Sequence, residues 1–341
     1  MLLKEIQRRD REEARGGRSG PGETILQDVG CLYRLSLMRR PFFPLLPFLL
    51  ACLGCASLRP FDEIRREVTE DRFLRIGDQL VHVEMAGEGP PVLLLHGFGA
   101  STYAWRKVMP GLATSFRVIA IDLNGFGYTQ RPRDRTRYTR EAQGELALSV
   151  MDALGIESAH FMGHSYGGGI TLCTAWKHPE RVRSMVLVDS SAPEYSYYRR
   201  SPLASLRPVT AFFLRGFVLR PDSVRKALLR SIHDDSLVTP ELVQAYWERI
   251  RVEGVSDAYY GLTAPVKGPI DRVVLEDIDV PTLIVWGRQD TLISVDAGRQ
   301  AAARMPRAEF AVLEETGHIP MEEKPAELLA VALPFLERQP R

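Results

Sequence analysis

The run from His160 to Gly169, His-Phe-Met-Gly-His-Ser-Tyr-Gly-Gly-Gly, limits what this chain can fold into more than any other stretch. A short apolar run leads into it, and a run with helical spacing leads out. Within it, Gly163-His164-Ser165-Tyr166-Gly167 fits G-x-S-x-G, a sharp strand-to-helix turn with a serine at its apex. A serine held there takes a strained backbone angle, so its neighbours must lack bulk, and the two glycines meet that need. The following helix aims its unpaired N–H groups at the same point, where they can stabilise an oxyanion. A Gly-rich turn with an incidental serine has the same five letters, so the partners of Ser165 decide what the pattern means.

Around this turn, strand-like and helix-like segments alternate. Strands are expected over 72–76 and 80–85, joined by a hairpin turn at Gly77-Asp78-Gln79, and over 92–95, 117–121, 159–162 and 185–188. Helices are expected over 102–113, 141–154 and 166–177, while 61–69 reads as a polar lead-in. The apolar runs lack alternation, as expected of strands buried on both faces. Between 193 and 278 the alternation stops, and aromatic residues and helical spacing point to a helical insertion. It resumes with a strand at 282–286, a helix at 295–305, a strand at 309–313 and a helix at 326–336. This is an α/β pattern: a mostly parallel central sheet with helices on both faces.

The N-terminus reads as an address. Met38-Arg39-Arg40 precedes an apolar run over 41–54 and the small-residue exit Cys55-Ala56-Ser57, the marks of an export signal. The run is interrupted by Pro41, Pro44 and Pro47 and falls short of the roughly 20 apolar residues of a spanning helix. Translation is expected to start at Met38, with 1–37 a start-site artefact. Leu49-Leu50-Ala51-Cys52 resembles a bacterial lipoprotein box, and Leu53-Gly54-Cys55 is a looser second candidate. Lipidation, an uncleaved anchor and ordinary secretion all stay open, and each predicts export, with membrane association in the first two. The expected organisation is a tail and signal, lipoprotein or anchor segment at 1–57, a core at 58–192 and 279–341, and the insertion at 193–278.

Other classes drop out on composition and spacing. A net charge of +1 gives no footprint for nucleic acid. Four cysteines are too few for a disulfide framework and none has zinc-ligand spacing; Cys173 reads as a small core residue. Gly125-Phe126-Gly127-Tyr128-Thr129-Gln130 lacks the third glycine of a dinucleotide loop, and no Walker-type loop occurs.

A serine hydroxyl needs a base to take its proton and an acid to hold the base. Of seven histidines, His318 stands out, because Glu314-Glu315-Thr316-Gly317-His318 forms the exit loop of the last expected strand. Parallel sheets gather their sites at such carboxyl ends. Two acids qualify: Asp290, beyond the strand at 282–286, and Asp189, at the end of the strand at 185–188. Either could equally be a turn or helix cap.

His96-Gly97-Phe98-Gly99, Asp122-Leu123-Asn124-Gly125-Phe126-Gly127, Gly163-His164-Ser165-Tyr166-Gly167-Gly168, Trp286-Gly287-Arg288-Gln289-Asp290 and Thr316-Gly317-His318, in that order, resemble the α/β-hydrolase fold superfamily. The likeness runs from about 72 to 337. It implies Ser165 as nucleophile, His318 as base, Asp290 as orienting acid with Asp189 as the lesser choice, and the N–H groups of Phe98 and Tyr166 as oxyanion hole. It also implies that 193–278 is a cap over the site. The serine separates this chain from relatives with an aspartate nucleophile.

The resemblance implies hydrolysis of a small, apolar carboxylic ester through an acyl-enzyme, with no metal and no organic cofactor. Carbon–carbon bond hydrolysis of a diketone is the second expectation, and cofactor-free perhydrolase or haloperoxidase activity the third. A membrane-tethered binding protein that keeps the fold without the chemistry is the alternative of another class. Tyr195, Tyr197, Tyr198, Phe212, Phe213, Phe217, Tyr246, Trp247, Tyr259 and Tyr260 either roof an apolar pocket or simply pack the insertion.

Overall fold

The computed structural model describes residues 57–191, 214–263 and 273–339. The expectations for Met38, Cys52, Cys55 and the aromatic positions 195–213 lie outside these residues. Among the described residues, no helix is long and apolar enough to cross a membrane.

The chain opens with α1 (Phe61–Glu67), followed by strands β1 (Phe73–Ile76), β2 (Gln79–Ala86) and β3 (Pro91–Leu95). Then come α2 (Met109–Leu112), β4 (Arg117–Ile121), α3 (Arg140–Ala153), β5 (Ala159–His164), α4 (Tyr166–Lys177) and β6 (Val182–Val188). Between β6 and β7 stand α5 (Pro221–Ser231), α6 (Pro240–Ile250) and α7 (Val255–Thr263). The chain closes with β7 (Thr282–Gly287), α8 (Val295–Arg304), β8 (Ala308–Leu313), α9 (Pro320–Glu323) and α10 (Pro325–Glu337).

The strands form one sheet in the order β1-β2-β4-β3-β5-β6-β7-β8. The first two pairings are antiparallel and the rest parallel. Alternate strand residues divide between two cores, the period-two rule at work. Leu93, Leu95, Phe161, Leu187 and Trp286 pack with Ala147, Met151, Ile170 and Cys173 of α3 and α4. Val92, Leu94, Met162, Val186 and Val285 pack on the other face with Leu112, Leu328 and Phe335, and with Leu228 and Tyr246 of the insertion. Both faces are covered, so these strands carry no polar alternation. Register aligns Leu95 with Gly163, His164 with Val188, and Val188 with Val285, which brings the exits of β3, β5, β6 and β7 into one row.

Three local expectations change. The segment 102–113 is not one helix but a 3-10 turn, Thr102–Trp105, followed by α2. Pro110 has no N–H for the carbonyl four residues back and is tolerated only in the first turn of a helix, where it sits. The lead-in at 61–69 contains α1, whose only buried side chain is Ile64, too little to write a periodic stripe. Arg59, just before α1, bonds Glu63 and Glu67 and pairs its backbone with Arg251 and Glu253 of the insertion. In the hairpin, Gln79 belongs to β2, opposite Ile76, so the turn is Gly77-Asp78, with Gly77 at φ 58°.

The exit loop of β4 is organised by the fully buried Asp122. Its Oδ1 accepts the Thr102 N–H (2.6 Å), and its Oδ2 accepts the Tyr128 N–H (2.7 Å) and the His82 ring N–H (2.8 Å). Burial opposes its ionisation, but the His82 ring and the Tyr128 N–H outweigh that and hold the carboxyl far below its usual range. The resulting stabilisation is complete above the unfolded pKa of about 3.9 and is lost as pH falls below it. Asp122→Ala strands three donors at about 1 kcal/mol or more each, so urea denaturation should register a loss of about 3 kcal/mol or more. Below about pH 4, stability of the variant should fall less steeply than that of the wild type.

Candidate active site

Ser165 stands between β5 and α4 at φ 49° and ψ −112°, a conformation that side-chain-bearing residues rarely adopt. Close approach explains the flanking glycines. A Cβ on Gly163 would stand 2.5 Å from Thr171 Oγ1, and one on Gly167 would collide with the Leu95 carbonyl and lie 2.6 Å from that of His96. The helix start is therefore pressed against the end of β3, where only bare backbone fits. The turn is tied down on both sides. The Ser165 N–H donates to Val188 O (2.9 Å), and Ser165 O accepts from the Gly169 N–H (3.1 Å), the Ser191 N–H (2.9 Å) and Ser191 Oγ (3.1 Å).

The exit loop of β8 brings His318 to this serine, with 3.0 Å between His318 Nε2 and Ser165 Oγ. On the other side of the ring, Nδ1 lies 2.7 Å from Asp290 Oδ2. A carboxylate at Nδ1 keeps the proton there and leaves the Nε2 lone pair facing the hydroxyl. Asp290 is held in turn: its Oδ1 accepts the N–H groups of Leu292 (2.8 Å) and Ile293 (3.0 Å). Burial raises the Asp290 pKa, but the hydrogen bond and charge of His318 and the two amides overcome it, so the carboxyl lies below its usual range.

Of the two acids proposed from sequence, Asp290 is therefore the one bonded to His318. Asp189 stands beside it: one ligand atom each of Asp189, Asp290 and His318 lie within 4.8 Å of one another. A metal would compete for the atoms that the His318–Asp290 hydrogen bond already uses. Asp189 is wholly buried at φ 42°, and its Oδ1 accepts the Gly287 N–H at 3.0 Å.

The oxyanion positions border the serine as well. Tyr166 is the first residue of α4, so its N–H has no carbonyl four residues back within the helix. Phe98 follows Gly97, where a Cβ would stand 3.3 Å from Ser165 Cβ. The Phe98 ring packs edge-on against Phe126 and Tyr166, with centroids 5.2 and 6.1 Å away, an aromatic and uncharged wall beside the nucleophile. His96 fixes the turn: its Nε2 accepts the Leu123 N–H (3.1 Å), so Nδ1 carries a proton to Gly97 O (2.8 Å).

Three positioning groups escape a sequence reading. His164, inside the motif, donates from Nε2 to His318 O at 2.7 Å; burial first, then neighbouring His318, pushes its pKa down to about 3, so it is neutral. Ser191 anchors the elbow carbonyl, as above. Glu323 accepts the Gly317 N–H (2.9 Å) and the His233 N–H (2.7 Å), and the His318 N–H donates to Ser231 O (2.6 Å), so the insertion grips the loop of the base. The register could have pointed to Ser191, since β6 runs beside β5 and their exits must meet. Nothing local marks Glu323. Among the aromatic residues of the insertion, Tyr246 is buried and bonds Glu322 (3.2 Å), and Trp247 donates to Leu219 O (3.0 Å), while Phe217 is exposed. The first two pack the insertion onto itself and the core.

Comparison with known proteins agrees with this fold. The family model described as alpha/beta hydrolase fold matches residues 90–325. A 2-hydroxymuconate semialdehyde hydrolase of Pseudomonas sp. (strain CF600) is 32% identical over 262 residues, covering 74% of this chain and 88% of that protein. Among solved structures, the meta-cleavage product hydrolase CumD of Pseudomonas fluorescens IP01 superposes with a TM-score of 0.65 at 26% identity, over 80% of this chain and 99% of that one. A thermophilic esterase from Thermogutta terrifontis gives a TM-score of 0.63 at 26% identity, over 78% and 97%. The serine at a strained strand-to-helix turn, the shared sheet and the matched sequence lead to one conclusion: the chain belongs to the α/β hydrolase fold family.

Proposed function

We propose that this protein is a serine hydrolase that cleaves small, apolar carboxylic esters through an acyl-enzyme. The observation that carries the reading is the unbroken path Ser165 Oγ–His318–Asp290, with contacts of 3.0 and 2.7 Å. His318 Nε2 takes the hydroxyl proton as Ser165 Oγ attacks the ester carbonyl. The tetrahedral oxyanion settles on the N–H groups of Phe98 and Tyr166, worth about 3–4 kcal/mol per donor. His318 returns the proton to the leaving alkoxide, then deprotonates a water that frees the acid. Asp290 keeps the imidazole in the working tautomer and stabilises it when charged. The aromatic wall of Phe98, Phe126 and Tyr166 suits an apolar acyl or alcohol group.

Carbon–carbon bond hydrolysis of a diketone is the second reading, favoured by the relative that is 32% identical. 2-Hydroxymuconate semialdehyde has no ester or amide, so hydrolysing it breaks a carbon–carbon bond, and a serine triad can attack that carbonyl too. We also place the protein outside the cytoplasm, on the basic-apolar-cysteine pattern at 38–55. Mass spectrometry of the native N-terminus tests the start at Met38 on which that pattern rests, and a peptide from residues 1–37 would contradict that start.

The test of function is hydrolysis of p-nitrophenyl acetate, butyrate, octanoate and palmitate beside a 2-hydroxy-6-oxohexa-2,4-dienoate. Faster turnover of an ester supports the first reading. Turnover of the dienoate alone would replace it with the second. Inertness of folded protein toward all of them would overturn both readings and leave the perhydrolase or haloperoxidase expectation and a binding role.

A further inference from the structure

Asp189 is the buried acid that the mechanism leaves unused. Its side chain is walled in, its backbone is pinned at φ 42°, and Oδ1 is committed to the Gly287 N–H. Oδ2 is equally buried and receives no N–H or O–H donor. One carboxylate oxygen of Asp189 stands with one atom each of Asp290 and His318, all within 4.8 Å of one another. Two carboxyl groups so placed cannot both ionise. Asp290 collects the donors, from Leu292, Ile293 and His318, whereas Asp189 has one. The charge therefore rests on Asp290 and the proton on Asp189.

We propose that Asp189 is a neutral carboxylic acid that donates its Oδ2–H to the Asp290 carboxylate, making it a positioning residue for the Asp290–His318 pair. Burial, then the charge of Asp290, pushes its pKa well above the usual carboxyl range, in keeping with this state. Among the described residues, the other titratable groups facing the pair are His318 from the β8 exit, His164 from the end of β5 and Glu323 from α9. A hydrogen bond into Asp290 spreads its negative charge, so Asp290 pulls less on the His318 Nδ1 proton and is fixed in orientation. Removing that donor makes Asp290 more basic and tightens its hold on the His318 Nδ1 proton. The consequences for activity rest on the proposed hydrolase function; the protonation state does not.

Two variants and one spectrum test it. Asp189→Ala, which has no donor and no branch at Cβ to strain the φ 42° backbone, should lower kcat about tenfold and move the acid limb of the kcat/KM profile up by about half a unit to one unit. Asp189→Asn offers an amide N–H to Asp290 and a carbonyl to the Gly287 N–H, so it should recover activity to within about threefold of wild type and restore the limb. A downward shift of the limb in Asp189→Asn, or a loss of about 10⁴-fold as for an ionised triad acid, would overturn the proposal. Infrared difference spectra decide independently of turnover. Wild type at pH 8 should show the C=O stretch of a buried protonated carboxyl that Asp189→Asn lacks. Absence of that band in wild type refutes a neutral Asp189 even if no ester is hydrolysed, and its presence upholds it.

Discussion

Ser165→Ala is expected to lower kcat/KM for the best ester by about 10⁶-fold, the loss found when a triad nucleophile is removed. The fold should survive. Alanine keeps the Cβ that Ser165 already holds at φ 49°, and the bonds anchoring the turn come from the Ser165 backbone, not its hydroxyl. The hydroxyl itself bonds His318 Nε2. Because serine and histidine act as one unit, adding His318→Ala should cost almost nothing further. Thermal unfolding beside single-turnover kinetics checks both statements. A loss that matched global unfolding, or a second full loss in the double variant, would contradict them.

Asp290→Asn should cost about 10⁴-fold in kcat with the geometry intact. The amide oxygen can still take the N–H groups of Leu292 and Ile293, which turns the NH₂ toward His318 Nδ1. Nδ1 must then accept, the ring proton moves to Nε2, and Ser165 faces a donor instead of a base. The pair of aspartates makes the prediction sharp. The same Asp-to-Asn change is severe at Asp290 and mild at Asp189, because one carboxyl is charged and the other is not. The pH dependence follows the same sign. With its pKa below the usual carboxyl range, Asp290 contributes stability that is complete above the unfolded value of about 3.9 and is lost as pH falls below it. Kinetics of both variants at fixed pH, with circular dichroism to confirm folding, is the check.

What could be read from sequence was what side-chain pattern encodes. Runs such as Arg117–Ile121, apolar at every position after Arg117, mark strands to the residue, because both faces of the sheet are covered. Tyr166–Lys177 is equally legible, bounded by the elbow and by His178-Pro179. Ser165 and His318 are legible because each sits just beyond a strand exit. The choice between Asp189 and Asp290 was not legible in side-chain pattern, and only the family resemblance ranked Asp290 first. Both follow a strand, and only depth separates them: Asp189 turns under Gly287, whereas Asp290 stands three residues further on and reaches the imidazole. The grip of the insertion on the β8 exit loop was also hidden, since Ser231 O and the Glu323 carboxylate act through main-chain partners that carry no residue signature. Likewise, Pro110 split a segment whose apolar spacing alone reads as one helix.

The central claim is that Ser165 is an activated nucleophile. Its most direct test is to treat the folded protein with a serine-directed fluorophosphonate and map the adduct by peptide mass spectrometry. The account predicts one stoichiometric adduct on the peptide carrying Gly163-His164-Ser165-Tyr166-Gly167, absent in Ser165→Ala. Folded protein that stays unmodified, or that reacts at another residue with Ser165 untouched, would contradict it.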